Sequence, residues 1–410
     1  MPIQIETRDR STLGGVATVG SRALWGRGFR PFFLGAGVYG FAVVAAWVAI
    51  WHGSLPAPAW LSPAWWHAHE MLFGLVAAAI AGFLLTATPV WTGRPALHGR
   101  ALAALFGLWA AGRIAILAAG VLPAVFVAAV DLVFLPAVAA VLVRTLWRTG
   151  QRRNYGVVAL VGLLSLANGA VHAQALGFAA GSAPRALRFA VDAVVVLIVV
   201  IGGRITPGFT TNALIRFGVE ARAVSRPWLD RLAVAAVALL AALDLVAPRG
   251  TASGVLAAAA GLAVAARMLG WQTLRTWRDP LVWSLHAGMA WVALGLLLVA
   301  AGDLGAAVPA TAGLHALTAG AMGSMILAVM TRVSLGHTGR PLVLPAGALG
   351  TYALVHAGAA ARVFAGLTPA SPASSWLLLI GGLCWASAFG LFAVVYAPIL
   401  TAPRIDGKDG

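Results

Sequence analysis

Twelve apolar stretches, each long enough to cross a lipid bilayer, follow one another along this chain of 410 residues. A membrane-spanning helix needs about 20 predominantly apolar residues. Only 10% of the residues are charged, whereas a soluble domain carries about 25%. This composition excludes a soluble globular enzyme, a disordered chain and a nucleic-acid-binding module. The sequence predicts an all-α membrane protein with helices at 32–51, 66–89, 101–120, 123–143, 155–178, 186–205, 229–247, 251–270, 281–301, 311–334, 344–366 and 375–400.

The basic residues predict how these helices are oriented. With the N-terminus in the cytoplasm, the cytoplasmic segments carry 23 basic residues and the outer loops carry only Arg185, Arg188 and Arg249. This bias follows the positive-inside rule and places both termini in the cytoplasm. The predicted organisation is a cytoplasmic N-terminal segment, a single twelve-helix membrane domain and a cytoplasmic tail, at 1–30, 31–400 and 401–410. The polar N-terminus shows no signal-peptide pattern.

An internal repeat relates two of the predicted helices. Residues 69–95, HEMLFGLVAAAIAGFLLTATPVWTGRP, align without a gap with residues 315–341, HALTAGAMGSMILAVMTRVSLGHTGRP. His69 therefore corresponds to His315. Both segments are predicted to run from outside to inside, which indicates a parallel duplication about an axis along the membrane normal. Many transporters contain such repeats, so the repeat alone does not separate transport from redox chemistry.

Histidines at membrane depth are the strongest chemical signal in the sequence. An ionisable side chain there is costly unless it is paired, and imidazole is a ligand for haem iron, copper and zinc. Four histidines are predicted to converge near the outer face: His67, His69, His172 and His315. The repeat suggests His69 and His315 as a joint pair of ligands. Since residues i and i+2 of a helix point about 200° apart, His67 and His69 face different directions. Each histidine alone could instead hydrogen-bond a hydroxyl or a carbonyl.

Acidic residues within the predicted helices are few. Glu70 adjoins His69 and is the only glutamate in any of them. It is expected to orient a metal-bound imidazole or deliver protons, or else to act as a favourable charge at a helix N-terminus. Asp131 and Asp192 are candidate partners of Arg113 or of histidine N–H groups.

Several longer motifs, in this order, resemble the NnrS family. They are RPFFLG (30–35), WHAHEMLFG (66–74), GFLLTATPVWTGRP (82–95), GGRITPGFTTN (202–212), PLVWSLH (280–286), HALTAGAMGSMILAVMTR (315–332) and SLGHTGRPL (334–342). Members of this family are polytopic bacterial membrane proteins that contain haem and copper and are associated with nitric oxide metabolism and nitrosative stress. The resemblance implies a multi-pass protein of the bacterial inner membrane. It places recurring histidines at His67, His69, His172, His286, His315 and His337.

Combined with the residues, the resemblance implies a membrane nitric oxide reductase that contains haem and copper. Cys384 is the only cysteine, which excludes covalent haem attachment through C-x-x-C-H and makes the haem b-type with histidine ligands. A haem iron beside a second metal would hold two nitric oxide molecules, and Glu70 would deliver protons. The candidate cofactor-binding residues are His69, His172, His315, His286 and His337, and the candidate metal ligands are His67, His69, His172 and His315.

The source of electrons in this hypothesis is quinol in the bilayer or a periplasmic cytochrome or cupredoxin. The inner histidines His286 and His337 are candidates for a second haem or quinol site, or for structural roles. The main alternative function is a non-enzymatic haem or metal protein for nitric oxide sensing or iron–nitrosyl tolerance. A secondary transporter is the weaker alternative.

Overall fold

In a computed structural model that describes residues 23–147 and 149–407, the chain folds into twelve long helices, and the described residues contain no β-strand. The helices are α1 Phe29–Trp51, α2 Pro63–Thr92, α3 Gly99–Leu117, α4 Ala124–Leu146, α5 Arg152–Ala175, α6 Ser182–Arg216, α7 Pro227–Val246, α8 Thr251–Leu269, α9 Pro280–Asp303, α10 Ala310–His337, α11 Ala348–Leu367 and α12 Ala373–Thr401. Each predicted apolar stretch is one of these helices. All but α7 and α11 are long and apolar enough to cross a membrane, so the all-helical membrane fold is confirmed. Most of the predicted cytoplasmic N-terminal segment and the last three residues of the tail lie outside the described residues.

Several helix ends meet where α1 begins. The buried Arg30 donates hydrogen bonds of 2.7 and 2.8 Å to two backbone carbonyls at the C-terminal end of α12. The N–H of Phe29 donates to Thr86 in the second half of α2, at 3.0 Å. The ring of Phe29 also packs against His337 at the end of α10. Helix α1 therefore begins at the end of the bundle where α2, α10 and α12 end. We call this the inner end of the bundle, after its predicted orientation, and the opposite end the outer end.

The sequence repeat is also a repeat of the backbone. Helices α2 and α10 each contain a seven-residue π-helical segment, Glu70–Val76 and Ala316–Met322, directly after His69 and His315. The two segments are 246 residues apart, as are the two copies of the sequence repeat. π-helical segments are rare and occur mostly at functional sites, because they change the direction in which side chains point. The shared backbone feature supports a true duplication and directs attention to the two histidines.

Helix α6 is longer than the sequence predicts. The sequence predicts that it ends at residue 205, yet it continues through Pro207 to Arg216. A Cβ atom at Gly203 would lie 1.7 Å from the guanidinium of Arg267 on α8. The guanidinium of Arg267 therefore lies directly against the backbone of α6, where it also donates to the carbonyl of Val199 at 3.2 Å. The glycine leaves room for this contact and does not end the helix.

Candidate functional site

The two histidines at the start of α2 face two different sites at the outer end. His69 is fully buried and hydrogen-bonds to residues of α2 and α5, whereas His67 lines a cavity shared with α1, α6, α10, α11 and α12. The i, i+2 spacing predicted this divergence. We call the first site the polar cluster, formed by His69, Glu70, Arg113, Asp131, Asn168 and His172, and the second the apolar cavity.

Buried ion pairs hold the polar cluster together. Arg113 on α3 forms salt bridges to both Glu70 on α2 and Asp131 on α4. The hydroxyl of Tyr39 on α1 donates a further hydrogen bond to Glu70. All six residues of the cluster are less than a tenth exposed. Charges inside a membrane protein are tolerated when they are paired in this way.

Three potential metal ligands converge within the polar cluster. Ligand atoms of His69, Asp131 and His172 lie within 4.8 Å of one another, and no other trio of this kind occurs among residues 23–147 and 149–407. Asp131 Oδ2 lies 2.9 Å from His172 Nε2 and 3.4 Å from His69 Nε2. Trp60, in the loop before α2, covers both imidazoles with ring distances of 4.6 and 5.0 Å. The trio is therefore shielded from the outer surface.

The groups around His69 Nε2 are hydrogen-bond acceptors. Its Nδ1 lies 2.7 Å from Glu70 Oε1 and donates a proton to that carboxylate. Its Nε2 faces two oxygens, Asn168 Oδ1 at 2.9 Å and Asp131 Oδ2 at 3.4 Å, while the Asn168 amide N–H group donates to Asp131 at 2.8 Å. A lone pair on Nε2 would meet only acceptors. Either a second proton or a metal ion satisfies this arrangement, and a carboxylate on the other ring nitrogen is typical of metal-bound histidines.

The apolar cavity has a volume of about 530 Å³ and lies between the two copies of the repeat. This volume is in the range of about 300–1,000 Å³ that is common for ligand and cofactor sites. Its walls are mainly aliphatic and aromatic side chains, with Trp47, Trp65 and Trp385 among them. The walls also carry a small number of polar side chains, which would determine the chemistry of a bound ligand. They are His52, His67, Arg188, Thr311, His315, Thr318 and Arg362.

Two imidazoles in the cavity have ring nitrogens that are free to bind a metal. The Nδ1–H of His315 donates to the carbonyl of Thr311 at 2.8 Å, which leaves the Nε2 lone pair available. The ring of His67 stacks on Trp47 at 4.4 Å, and its buried Nδ1 has no hydrogen-bond partner. The cavity between the two copies of the repeat therefore contains His67 and His315. His69, which aligns with His315 in the sequence repeat, lies on the other side of α2 and does not reach the cavity.

Two arginines on the cavity wall, the exposed Arg188 and the partly buried Arg362, form no salt bridge with the described residues. Neither Arg188 nor Arg362 forms a salt bridge with any carboxylate in the described part of the chain. Arg362 follows the second copy of the repeat much as Arg113 follows the first, but Ala316 stands where the first copy has Glu70. The second copy has thus kept the arginine and lost its acidic partner. An anionic group on a ligand would supply the missing charge.

The inner histidines do not form a joint site. Both ring nitrogens of His286 are hydrogen-bonded to threonine hydroxyls, to Thr210 at 2.8 Å and to Thr273 at 3.0 Å. His337 packs against Phe29 at the inner end. The structure brings neither residue to the polar cluster or to the apolar cavity, and their assignment to cofactor binding stays a prediction.

The acids singled out in the sequence have different surroundings. Asp131 has the partners that the sequence suggested, since it pairs with Arg113 and His172. Asp192 instead lies 3.7 Å from Arg249, which also pairs with Asp244. Asp131 as a potential ligand was not predicted. The sequence contains no local signal for it, because the trio comes from three helices.

Comparison with known proteins agrees with this architecture. Among curated proteins, nothing matches the chain. The family model described as NnrS protein matches residues 23–404, which include all twelve helices, the polar cluster and the apolar cavity. The chain therefore belongs to the NnrS family.

Proposed function

We propose that this protein binds haem b and copper in the bacterial inner membrane and reduces nitric oxide to nitrous oxide. Two molecules of nitric oxide, two electrons and two protons give one molecule of nitrous oxide and one of water. The electrons come from quinol or from a periplasmic cytochrome or cupredoxin. The observation that carries the proposal is the apolar cavity, whose mainly apolar walls present free ring nitrogens of His67 and His315 together with Arg188 and Arg362, neither of which forms a salt bridge among the described residues.

The chemistry of the cavity fits haem b. Haem is a largely apolar ring with axial positions for imidazole and two anionic propionates. In the cavity, His315 would hold the haem iron and leave a position for nitric oxide, His67 would lie beside the bound haem, and Arg188 and Arg362 would pair with the propionates. When bound, the haem supplies a redox-active iron that takes nitric oxide as a ligand. The apolar walls admit nitric oxide from the lipid, because it is small and uncharged.

The chemistry of the polar cluster fits copper. With both histidines neutral, one arginine and two carboxylates leave the cluster with a net charge of −1. A monovalent copper ion neutralises this charge and is well bound by imidazole nitrogens. His69, His172 and Asp131 would hold the ion. Glu70 orients the imidazole of His69, and Arg113 fixes both carboxylates.

The proposed haem site and the proposed copper site are separate in this structure. The sequence suggested that two nitric oxide molecules would meet between a haem iron and a second metal. His67 and His69 instead place the two sites on opposite sides of α2. In our proposal the two nitric oxide molecules therefore react within the apolar cavity, and the polar cluster serves to pass electrons across one helix.

One observation favours a non-enzymatic alternative. The cavity contains two imidazoles with free nitrogens, and binding of both to one iron would leave no position for nitric oxide. Such a haem would transfer electrons or respond to the redox state without turning over nitric oxide.

Turnover of nitric oxide separates these functions. The purified protein, loaded with haem and copper and supplied with a chemical electron donor, is expected to release one nitrous oxide for every two nitric oxide molecules consumed. The measurement is gas chromatography of the headspace beside a nitric oxide electrode. His98, an exposed residue at the start of α3, provides a matched control, and His98→Ala should turn over normally. Haem-loaded protein that yields no nitrous oxide would support the non-enzymatic alternative.

A further inference from the structure

The four helices α9 to α12 contain an unusual group of buried polar side chains with unsatisfied hydrogen-bonding atoms. Buried polar groups in proteins are normally paired, and an unpaired one indicates a water molecule or costs free energy. Six such atoms lie in this part of the bundle, on Ser284, Arg332, Ser334, Thr351, His356 and Tyr396. Water molecules that pair with these atoms would form a hydrated path between the inner end and the apolar cavity.

The path begins at the inner end with Asp279. This residue caps the N-terminus of α9 and forms a salt bridge with Arg216, whose side chain is 42% exposed. Asp279 is therefore in contact with the inner surface. Arg332 on α10 is its charged neighbour and stacks over Phe209 at 3.8 Å. One turn into the bundle from Asp279 lies the buried hydroxyl of Ser284.

Hydroxyl groups of four helices meet in the middle of the path. The hydroxyl of Tyr352 on α11 hydrogen-bonds to Thr331 on α10 at 2.5 Å and lies beside Ser284 on α9. The hydroxyl of Tyr396 on α12 lies beside the same threonine. All four side chains are at most 1% exposed. Four buried hydroxyls around one point can relay a proton, because each can donate and accept.

His356 continues the path towards the cavity. It lies one turn after Tyr352 on α11, and the ring of Trp283 contacts both of them. The indole N–H of Trp291 donates to His356 Nδ1 at 3.0 Å, so the neutral ring carries its proton on Nε2, which is buried and has no partner. Ser324 lies 3.3 Å from the same Nδ1 and is next to Gly323 on the cavity wall. The imidazole thus lies one helical turn from the buried hydroxyls on one side and contacts a residue that adjoins the cavity wall on the other.

We propose that Asp279, Ser284, Tyr352, Thr331, Tyr396 and His356, with water between them, form a proton path from the inner end to the apolar cavity. The proposal rests on the proposed function, since reduction of two nitric oxide molecules consumes two protons in that cavity. Glu70, the proton donor expected from the sequence, is unsuited to this role. It is held as a carboxylate by Arg113, His69 and Tyr39 and lies on the far side of α2.

The first test reports on water in the path and does not depend on nitric oxide chemistry. Hydroxyl radicals generated by X-ray pulses modify buried side chains only where water is in contact with them. We expect oxidation of Tyr352 and Tyr396 in the purified wild-type protein, detected by mass spectrometry, although both are fully buried. Phe32 and Phe33 are equally buried and serve as dry controls. Tyrosines as unreactive as these phenylalanines would overturn the proposal.

The second test reports on use of the path. Tyr352→Phe removes one hydroxyl and keeps the ring, and we expect about a tenfold or greater loss of nitric oxide turnover with an unchanged haem spectrum. Tyr155→Phe makes the same change at the exposed start of α5 and should have no effect. Full turnover in Tyr352→Phe would contradict the proposal. If the wild-type protein produces no nitrous oxide, the proposed function fails, and the radical labelling alone decides whether the hydrated path exists.

Discussion

Replacing His315 with alanine is expected to remove the haem from the apolar cavity. His315 Nε2 is kept free by the hydrogen bond from Nδ1 to Thr311, and no other residue of α10 offers an imidazole to the cavity. Loss of an axial ligand should lower haem affinity by a factor of about 100 or more, since weaker changes in the surroundings of a ligand already cost about 10- to 100-fold. The measurement is haem per protein after purification, from the pyridine haemochrome spectrum.

The matched comparison for this prediction is His69→Ala. His69 corresponds to His315 in the repeat, and the sequence alone predicts that each of the two variants loses haem or metal. The structure places His69 in the polar cluster, so His69→Ala should keep its haem while His67→Ala should lose much of it. Equal loss of haem in His69→Ala and His315→Ala would refute the assignment of the cavity.

Replacing His172 with alanine is expected to remove copper and leave haem in place. His172 is one of three converging ligands, and its loss leaves only His69 and Asp131. Two ligands should hold the ion more weakly by a factor of about 100 or more. Copper and iron per protein are measured together by plasma mass spectrometry, so that each variant reports on both sites.

His286→Ala provides the control for this second prediction. His286 is also a buried histidine, but its partners are the hydroxyls of Thr210 and Thr273, away from the polar cluster. It should retain full copper. Copper retained in His172→Ala, or lost equally in both variants, would contradict the assignment of copper to the polar cluster.

The two sites can be understood as diverged copies of one arrangement. Each copy of the repeat has a histidine directly before a π-helical segment, followed by an arginine on the next helix. In the first copy, Glu70 and Asp131 neutralise Arg113 and the site is filled by polar side chains. In the second copy, Arg362 has no acidic partner and the space is an open cavity. Duplication followed by loss of the acids would produce one compact polar site and one ligand-sized cavity.

The sequence predicts the fold well because a chain that crosses a membrane must be apolar and must pair its own backbone hydrogen-bonding groups. Long apolar stretches must be helical to satisfy their backbone groups, and each of the twelve stretches is a helix. The two copies of the repeat share a π-helical segment at the same position, and His67 and His69 face different sites, as their spacing predicts. Helix α6 extends beyond its predicted end at residue 205, because a buried helix tolerates a proline such as Pro207 where neighbouring helices compensate.

The partition of the histidines between two sites could not be predicted from the sequence. Which of His67 and His69 faces His315 depends on the rotation of α2 relative to α10, and a π-helical segment alters that rotation. The role of Asp131 depends on packing among α2, α4 and α5. Such contacts arise from tertiary structure and leave no periodic pattern in the sequence.

The central claim is that the apolar cavity holds a haem whose iron can bind nitric oxide. The most direct measurement is the optical spectrum of the purified, reduced wild-type protein before and after addition of nitric oxide, with haem and copper determined on the same sample. We predict a b-type haem with a spectrum that shifts on addition of nitric oxide, and one copper ion. A haem spectrum that nitric oxide leaves unchanged would contradict turnover in the cavity, and protein without haem would contradict the account as a whole and favour a transporter.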